Sequence, residues 1–196
     1  YGDHRDLHSF PTRRSSDLPE LVNNAQTTPA LRWPTRTISD RWVGKVAGIE
    51  LEIIHTPGET NDTLSIWLAD RKTMISADNL YRTFPNLYAI RGTPHRDVMQ
   101  WVRSLDKVKG YRPEVMIPCH TRPLFGADHI KQTITDYRDA IQFVHDQTVR
   151  WMNKGLTPDE IVEKVKLPKQ LADSPFLREH YGTVAWSVDR KSTRLN

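Results

Sequence analysis

A single cysteine, Cys119, serves all 196 residues, which excludes a disulfide framework within the chain. No run of about 18 apolar residues occurs, so the sequence offers no membrane-spanning helix. Internal repeats and low-complexity segments are also missing. Histidine is absent over a long stretch: after His8 the next one is His55.

Strong charge of one sign is lacking too, once the ends are considered. Tyr1–Leu18 and Asp189–Asn196 can each be back-translated, with a free choice of codons, into sequences that resemble sequencing-library adapters. Both segments, residues 1–18 and 189–196, are therefore expected to be foreign to the gene and are set aside. They hold six of the 28 Lys and Arg and four of the 24 Asp and Glu, so the remainder carries 22 minus 20, a net charge of +2 instead of +4. A balance so close to neutral gives no reason to expect nucleic acid as a partner.

What is present divides by texture. Residues 19–40 are polar and interrupted by proline, reading as loop. Short runs rich in Val, Ile, Thr and Trp follow at Trp42–Val46, Ile49–Ile54, Thr63–Leu68 and Thr73–Ser76, separated by turn-forming residues. Ile49, Leu51 and Ile53 alternate with Glu50, Glu52 and Ile54, the pattern of a half-buried strand. Val98, Trp101, Val102, Leu105 and Val108 recur at helical spacing, which predicts a helix over 94–109 closed by Gly110 and Pro113. Val115–Ile117 is then a short strand, and the order suggests a layered α/β sheet packed by helices. After Gly126 the texture becomes helical. A stripe of Ile130, Ile134, Tyr137, Ile141, Val144, Thr148 and Trp151 stops at Gly155. Thr157, Pro158 and Glu160 mark a second helix start, and a last helical piece spans 175–188. The organisation expected is a partial α/β domain over residues 19–125 and a helical region over 126–188.

The chemistry gathers where strands end. His55-Thr56-Pro57-Gly58-Glu59-Thr60 leaves one strand through a Pro-Gly turn, Asp78 closes a second and His120 a third. Strand ends are where α/β folds present ligands, and carboxylate and imidazole groups suit zinc or another divalent first-row ion. Taken singly, Asp78 also suits a turn or helix cap, His120 a hydrogen-bonded strand end and Glu59 an exposed position. Their order together is what points to a site. His55 reads as a packing or hydrogen-bonding residue, His95, His129 and His180 as exposed, His145 as a helix-face residue, and Cys119 as a small buried strand residue.

Strand-HTPGxT, strand-SADN and strand-PxH in succession resemble the C-terminal half of a metallo-β-lactamase-fold hydrolase. With Glu59 where the superfamily usually has histidine, the chain is similar to the alkyl sulfatases in particular. It resembles them also across Phe84–Gly92, Tyr137-Arg138-Asp139, His145-Asp146-Gln147-Thr148 and Tyr181-Gly182-Thr183-Val184. The resemblance implies the C-terminal part of an αββα sandwich followed by an α-helical dimerisation region, hence a homodimer. It also implies two zinc ions, with Glu59, Asp78 and His120 as metal ligands and Asp78 bridging at the catalytic centre. The substrate implied is an alkyl sulfate ester, its sulfate met by Asn86, Tyr88 and Arg91. Arg91 supplies a planar fork of donors matched to sulfate oxygens; its structural alternative is a salt bridge to Asp97 or Glu114. The family's His-x-His-x-Asp-His motif is absent from the sequence, so this polypeptide by itself is expected to be inactive and to bind metal weakly or not at all. Two readings stay open beside this one: a related hydrolase of thioesters, lactones or phosphoesters, and a non-catalytic dimerisation module.

Overall fold

The computed structural model describes residues 34–89 and 95–195. Every element below belongs to one compact unit that begins at Ile38. Four antiparallel strands open it: β1 (Arg41–Val46), β2 (Ile49–His55), β3 (Leu64–Leu68) and β4 (Thr73–Ala77). The β1–β2 connection is a two-residue turn in which both Ala47 and Gly48 have positive φ, 49° and 84°, the conformation whose twist matches a hairpin. A crossover through α1 (Val98–Gly110) returns the chain to β5 (Val115–Pro118), which lies parallel to β4. The two-residue β6 (Leu124–Phe125) completes a six-stranded sheet in the order β1-β2-β3-β4-β5-β6. The remaining helices are α2 (Ala127–Met152), α3 (Pro158–Lys164), α4 (Lys169–Ala172) and α5 (Val184–Leu195). The described residues are thus α/β, one mixed sheet with their helices layered on one face.

Helix ends follow local chemistry. Asp97 accepts a hydrogen bond from Gln100 N at 2.9 Å and starts α1 at Val98, four residues after the expected Pro94. Gly155, with φ of 81°, ends the turn that follows α2. The Glu160 carboxylate accepts from Thr157 N at 2.8 Å, the capping box expected at the start of α3. Neither β6 nor α4 was expected, being shorter than any periodic pattern. α5 begins later than residue 175 and continues past Val188 through the segment set aside on sequence grounds.

The parity of β2 is the reverse of the expected one. Glu52 and Ile54, 8% and 0% exposed, face the helices, while Ile49, at 44%, lies on the opposite face with half-buried Leu51 and Ile53. Two partners make a buried carboxylate tolerable there. Arg41 Nε and Nη2 donate to Glu52 Oε1 and Oε2 at 2.5 and 3.1 Å, and Tyr111 OH donates to Oε1. Burial pushes the Glu52 pKa up, but these hydrogen bonds outweigh it and hold the carboxyl below its ordinary value. Burial first, and then Glu52, push the Tyr111 phenol up to about 12.

Beside that polar cluster the core is apolar and continuous. Ile54, Met74 and Met116 of the sheet join Trp101 and Leu105 of α1, Ile130, Ile134, Tyr137 and Ile141 of α2 and Ile161 of α3, all fully buried. Each large aliphatic or aromatic side chain so placed contributes about 1.5–3 kcal/mol relative to an exposed one.

Candidate active site

Strand register puts the C-terminal ends of β2, β4 and β5 along one edge of the sheet, since His55 pairs with Leu64, Ile66 with Ile75, and Ala77 with Pro118. The three residues singled out from the sequence therefore leave the sheet on the same side. The backbone is irregular there. A register shift lies between Ile75 and Ala77, and both Ala77 and His120 adopt left-handed φ, 50° and 56°. Strained non-glycine residues of this kind tend to cluster at functional sites.

Asn79 latches the loop after β2 to the residue after Asp78. Its Nδ2 donates to Thr56 O at 2.5 Å and its Oδ1 accepts from Glu59 N at 3.2 Å. Trp101 Nε1 donates to Asn79 O at 3.1 Å, and Ser104 Oγ donates to Pro57 O at 2.7 Å, so α1 clamps both strand ends from below. Gly58 is required by this close approach. A Cβ there would overlap Asn79 Oδ1 and lie 2.7 Å from Trp101 Cδ1.

Asp78 and His120 meet directly. His120 Nε2 lies 3.3 Å from Asp78 Oδ1, near enough for an ion pair when the imidazole is protonated. That buried oxygen has no hydrogen-bond partner, a feature suited to a cation. Cys119 sits between them in sequence but beyond the end of β5, and it is exposed, not the buried strand residue expected. Partial burial, and then the Asp78 carboxylate next to it, push its thiol above the usual pKa and keep it from being a ready thiolate.

Glu59 is engaged elsewhere. Arg96, just ahead of α1, donates through Nη2 to Glu59 Oε1 and through Nη1 to the backbone carbonyl of Asn86. Both side chains of the ion pair are largely covered, 12% exposed for Arg96 and 19% for Glu59. Among the described residues, no three His, Cys, Asp or Glu side chains converge on a point where they could hold one metal ion. Two of the three expected ligands thus meet and the third is neutralised by a guanidinium; these residues do not fit a metal centre by themselves.

Asn86 is 3% exposed, and its Oδ1 is buried without a partner, while its backbone N donates to Tyr81 OH at 3.4 Å. Tyr88 is buried, which raises its phenol pKa and keeps it a neutral donor near pH 7. Arg91 lies outside the described residues. Of the partners proposed for a structural role, Asp97 caps α1 and lies 3.8 Å from Arg103, and Glu114 accepts from Lys72 at 2.5 Å. His55 Nε2 lies 2.7 Å from Asn61 O within its own loop, and His145 Nδ1 lies 2.9 Å from Asp146 Oδ1 on α2.

The Asn86 loop is backed by the C-terminal part of the chain. Phe84 N donates to Arg178 O at 2.9 Å and Gly182 N to Phe84 O at 3.1 Å. A Cβ on Gly182 would overlap the Pro85 carbonyl, so only glycine permits this approach. The Tyr181 ring then meets Tyr81 edge-on at 6.1 Å, and Tyr81 meets Tyr137 of α2 at the same distance. Sequence reasoning missed Arg96 and Asn79. Asn79 stood beside Asp78 and was visible as its neighbour; Arg96 had no local signal.

The chain is 47% identical over 157 residues to a linear primary-alkylsulfatase of Pseudomonas sp. (strain ATCC 19151), covering 79% of this chain and 30% of that protein. It is 30% identical over 147 residues to the alkyl/aryl-sulfatase BDS1 of Saccharomyces cerevisiae, covering 73% and 23%. The solved structure of the stereoselective inverting sec-alkylsulfatase Pisa1 from Pseudomonas sp. superposes with a TM-score of 0.74 at 31% identity, over 80% of this chain and 26% of that one. The chain therefore spans about a third or less of the length of these relatives. Residues 157–193 match the alkyl sulfatase dimerisation family. The metallo-beta-lactamase superfamily profile matches residues 13–120, more than half of the sequence, and takes in Glu59, Asp78, Asn86 and His120; the chain belongs to the metallo-beta-lactamase superfamily.

Proposed function

We propose that this chain is part of a longer, zinc-dependent alkylsulfatase that hydrolyses sulfate esters of alkyl alcohols and works as a homodimer. The observation that carries the proposal is the 47% identity to a linear primary-alkylsulfatase, taken with the meeting of Asp78 and His120 at the shared strand edge. Two zinc ions are the expected cofactor, with Glu59, Asp78 and His120 as their ligands in this part of the protein and Asp78 at the catalytic centre. The remaining ligands belong to a His-x-His-x-Asp-His motif that this sequence does not contain. Asn86, Tyr88 and Arg91 are the proposed sulfate contacts. A sulfate monoester is a compact anion, and a guanidinium fork with neutral amide and phenol donors matches its oxygens. Tyr88 keeps its proton because burial raises its pKa. The dimerisation-family match at residues 157–193 supports the homodimer.

The test is release of inorganic sulfate and alcohol from dodecyl sulfate by the longer protein, with metal content measured in parallel. Glu59→Ala is expected to lower zinc content and abolish turnover, and Arg91→Ala to weaken turnover with metal content intact. Unchanged metal stoichiometry in the first variant removes Glu59 from the site. Normal kinetics in the second return Arg91 to a structural role.

A further inference from the structure

We infer that Arg96 fills the place of a cation at Glu59 in this chain, so that the guanidinium and a divalent metal ion compete for one carboxylate. The inference rests on the reading of Glu59 as a metal ligand and adds the residue that governs its availability. Three observations lead to it. Arg96 Nη2 donates to Glu59 Oε1 in a pair that is 12% and 19% exposed, so solvent screens it little. Arg96 Nη1 is held at the same time by the Asn86 carbonyl, which fixes the guanidinium against the carboxylate as a two-pronged strap. At the ends of β4 and β5, Asp78 Oδ1 lies 3.3 Å from His120 Nε2 without a hydrogen bond, and no third ligand reaches the two among the described residues.

Charge decides the direction. Taking Arg96 away leaves Glu59 a covered carboxylate without its counter-charge, an arrangement that is strongly unfavourable until a proton or another cation replaces the guanidinium. A divalent ion drawn there no longer meets a fixed positive charge a few ångströms away, a repulsion that is appreciable in a partly dry site. The loop that carries Glu59 stays in place, because Asn79, Trp101 and Ser104 hold it independently of Arg96.

The experiment titrates the full 196-residue chain with Co²⁺, followed by visible absorption, and with Zn²⁺, followed by calorimetry. Arg96→Ala is expected to bind either ion on the order of tenfold or more tightly than the unsubstituted chain, and Glu59→Gln in the Arg96→Ala background is expected to remove the gain. Arg96→Gln keeps an amide donor for the Asn86 carbonyl while deleting the charge, and it carries the same expectation if the alanine variant does not fold. Affinity that is unchanged, lower or undetectable in both chains overturns the inference, as does a gain that survives Glu59→Gln. None of these outcomes bears on sulfate release from dodecyl sulfate by the longer protein, which is read separately.

Discussion

Glu52 shows how a single residue reverses an expectation. On a strand that alternates Ile and Leu with Glu, polarity alone assigns the carboxylates to solvent, and nothing local indicates that Arg41 and Tyr111 will meet one of them beneath α1. Arg41 is eleven residues away across a hairpin and Tyr111 lies beyond the crossover, so the information is tertiary. The same reason hides Arg96, whose partner Glu59 is 37 residues distant. That Glu59, Asp78 and His120 lie at strand ends was legible because each comes within four residues of the end of its own strand, and position relative to a strand end is a local property. Glu52 also sets a pH dependence. Its folded pKa lies below the ordinary carboxylate value, so its contribution is complete above the unfolded pKa of about 4.3 and is lost as pH falls through the folded value. Denaturant unfolding of the unsubstituted chain and of Glu52→Gln at pH 7, 5 and 3 should show a stability difference that is largest at pH 7 and shrinks toward pH 3. A difference that is constant across that range would mean that the charge on Glu52 plays no part.

At the scale of elements, periodicity served well wherever a segment was long. α1 and α2 follow from stripes of residues that are now buried, apart from half-buried Trp151, and the capping box at Thr157 follows from three residues within one turn. β6 and α4 escaped because two and four residues hold no period to read. Less visible still was the way the segment matched by the dimerisation family closes on the Asn86 loop. That contact runs through backbone groups, from Phe84 N to Arg178 O and from Gly182 N to Phe84 O, and backbone pairing leaves little trace in side-chain pattern. Gly182 is the one side-chain signature, since any Cβ there would overlap the Pro85 carbonyl. Gly182→Ala should therefore destabilise the fold by about 1–3 kcal/mol, the usual cost of forcing added volume into a packed site. Hydrogen exchange should speed up at Phe84 N and Gly182 N before it does so in α1. Unchanged exchange at both amides would show that residues 178–182 are not what holds this loop.

Across the whole molecule, the sheet has two very different faces. Helices cover the one that carries Glu52, Ile54, Met74 and Met116. The other presents Val46, Ile49, Ile117 and Phe125, at 52%, 44%, 38% and 66% exposure, beside half-buried Leu51, Ile53, Ile66 and Ile75. Apolar residues from all six strands share that surface, and a contiguous exposed apolar patch of this kind marks a site of association. Burial of such a surface is favourable at about 25 cal/mol per Å² of apolar area, whichever surface covers it. Alone in solution, the chain should therefore self-associate through this face. Light scattering after size exclusion should show a mass that rises with concentration, and a dye that fluoresces in apolar surroundings should bind. Ile117→Lys with Phe125→Lys places two charges on the patch at exposed positions, where little packing is lost, and should lower both signals while leaving the denaturant midpoint nearly unchanged. A concentration-independent mass for the unsubstituted chain would mean that the exposed face drives no association. A mass that stays high in the double variant would move the contact away from the sheet, toward the helical segment that matches the dimerisation family.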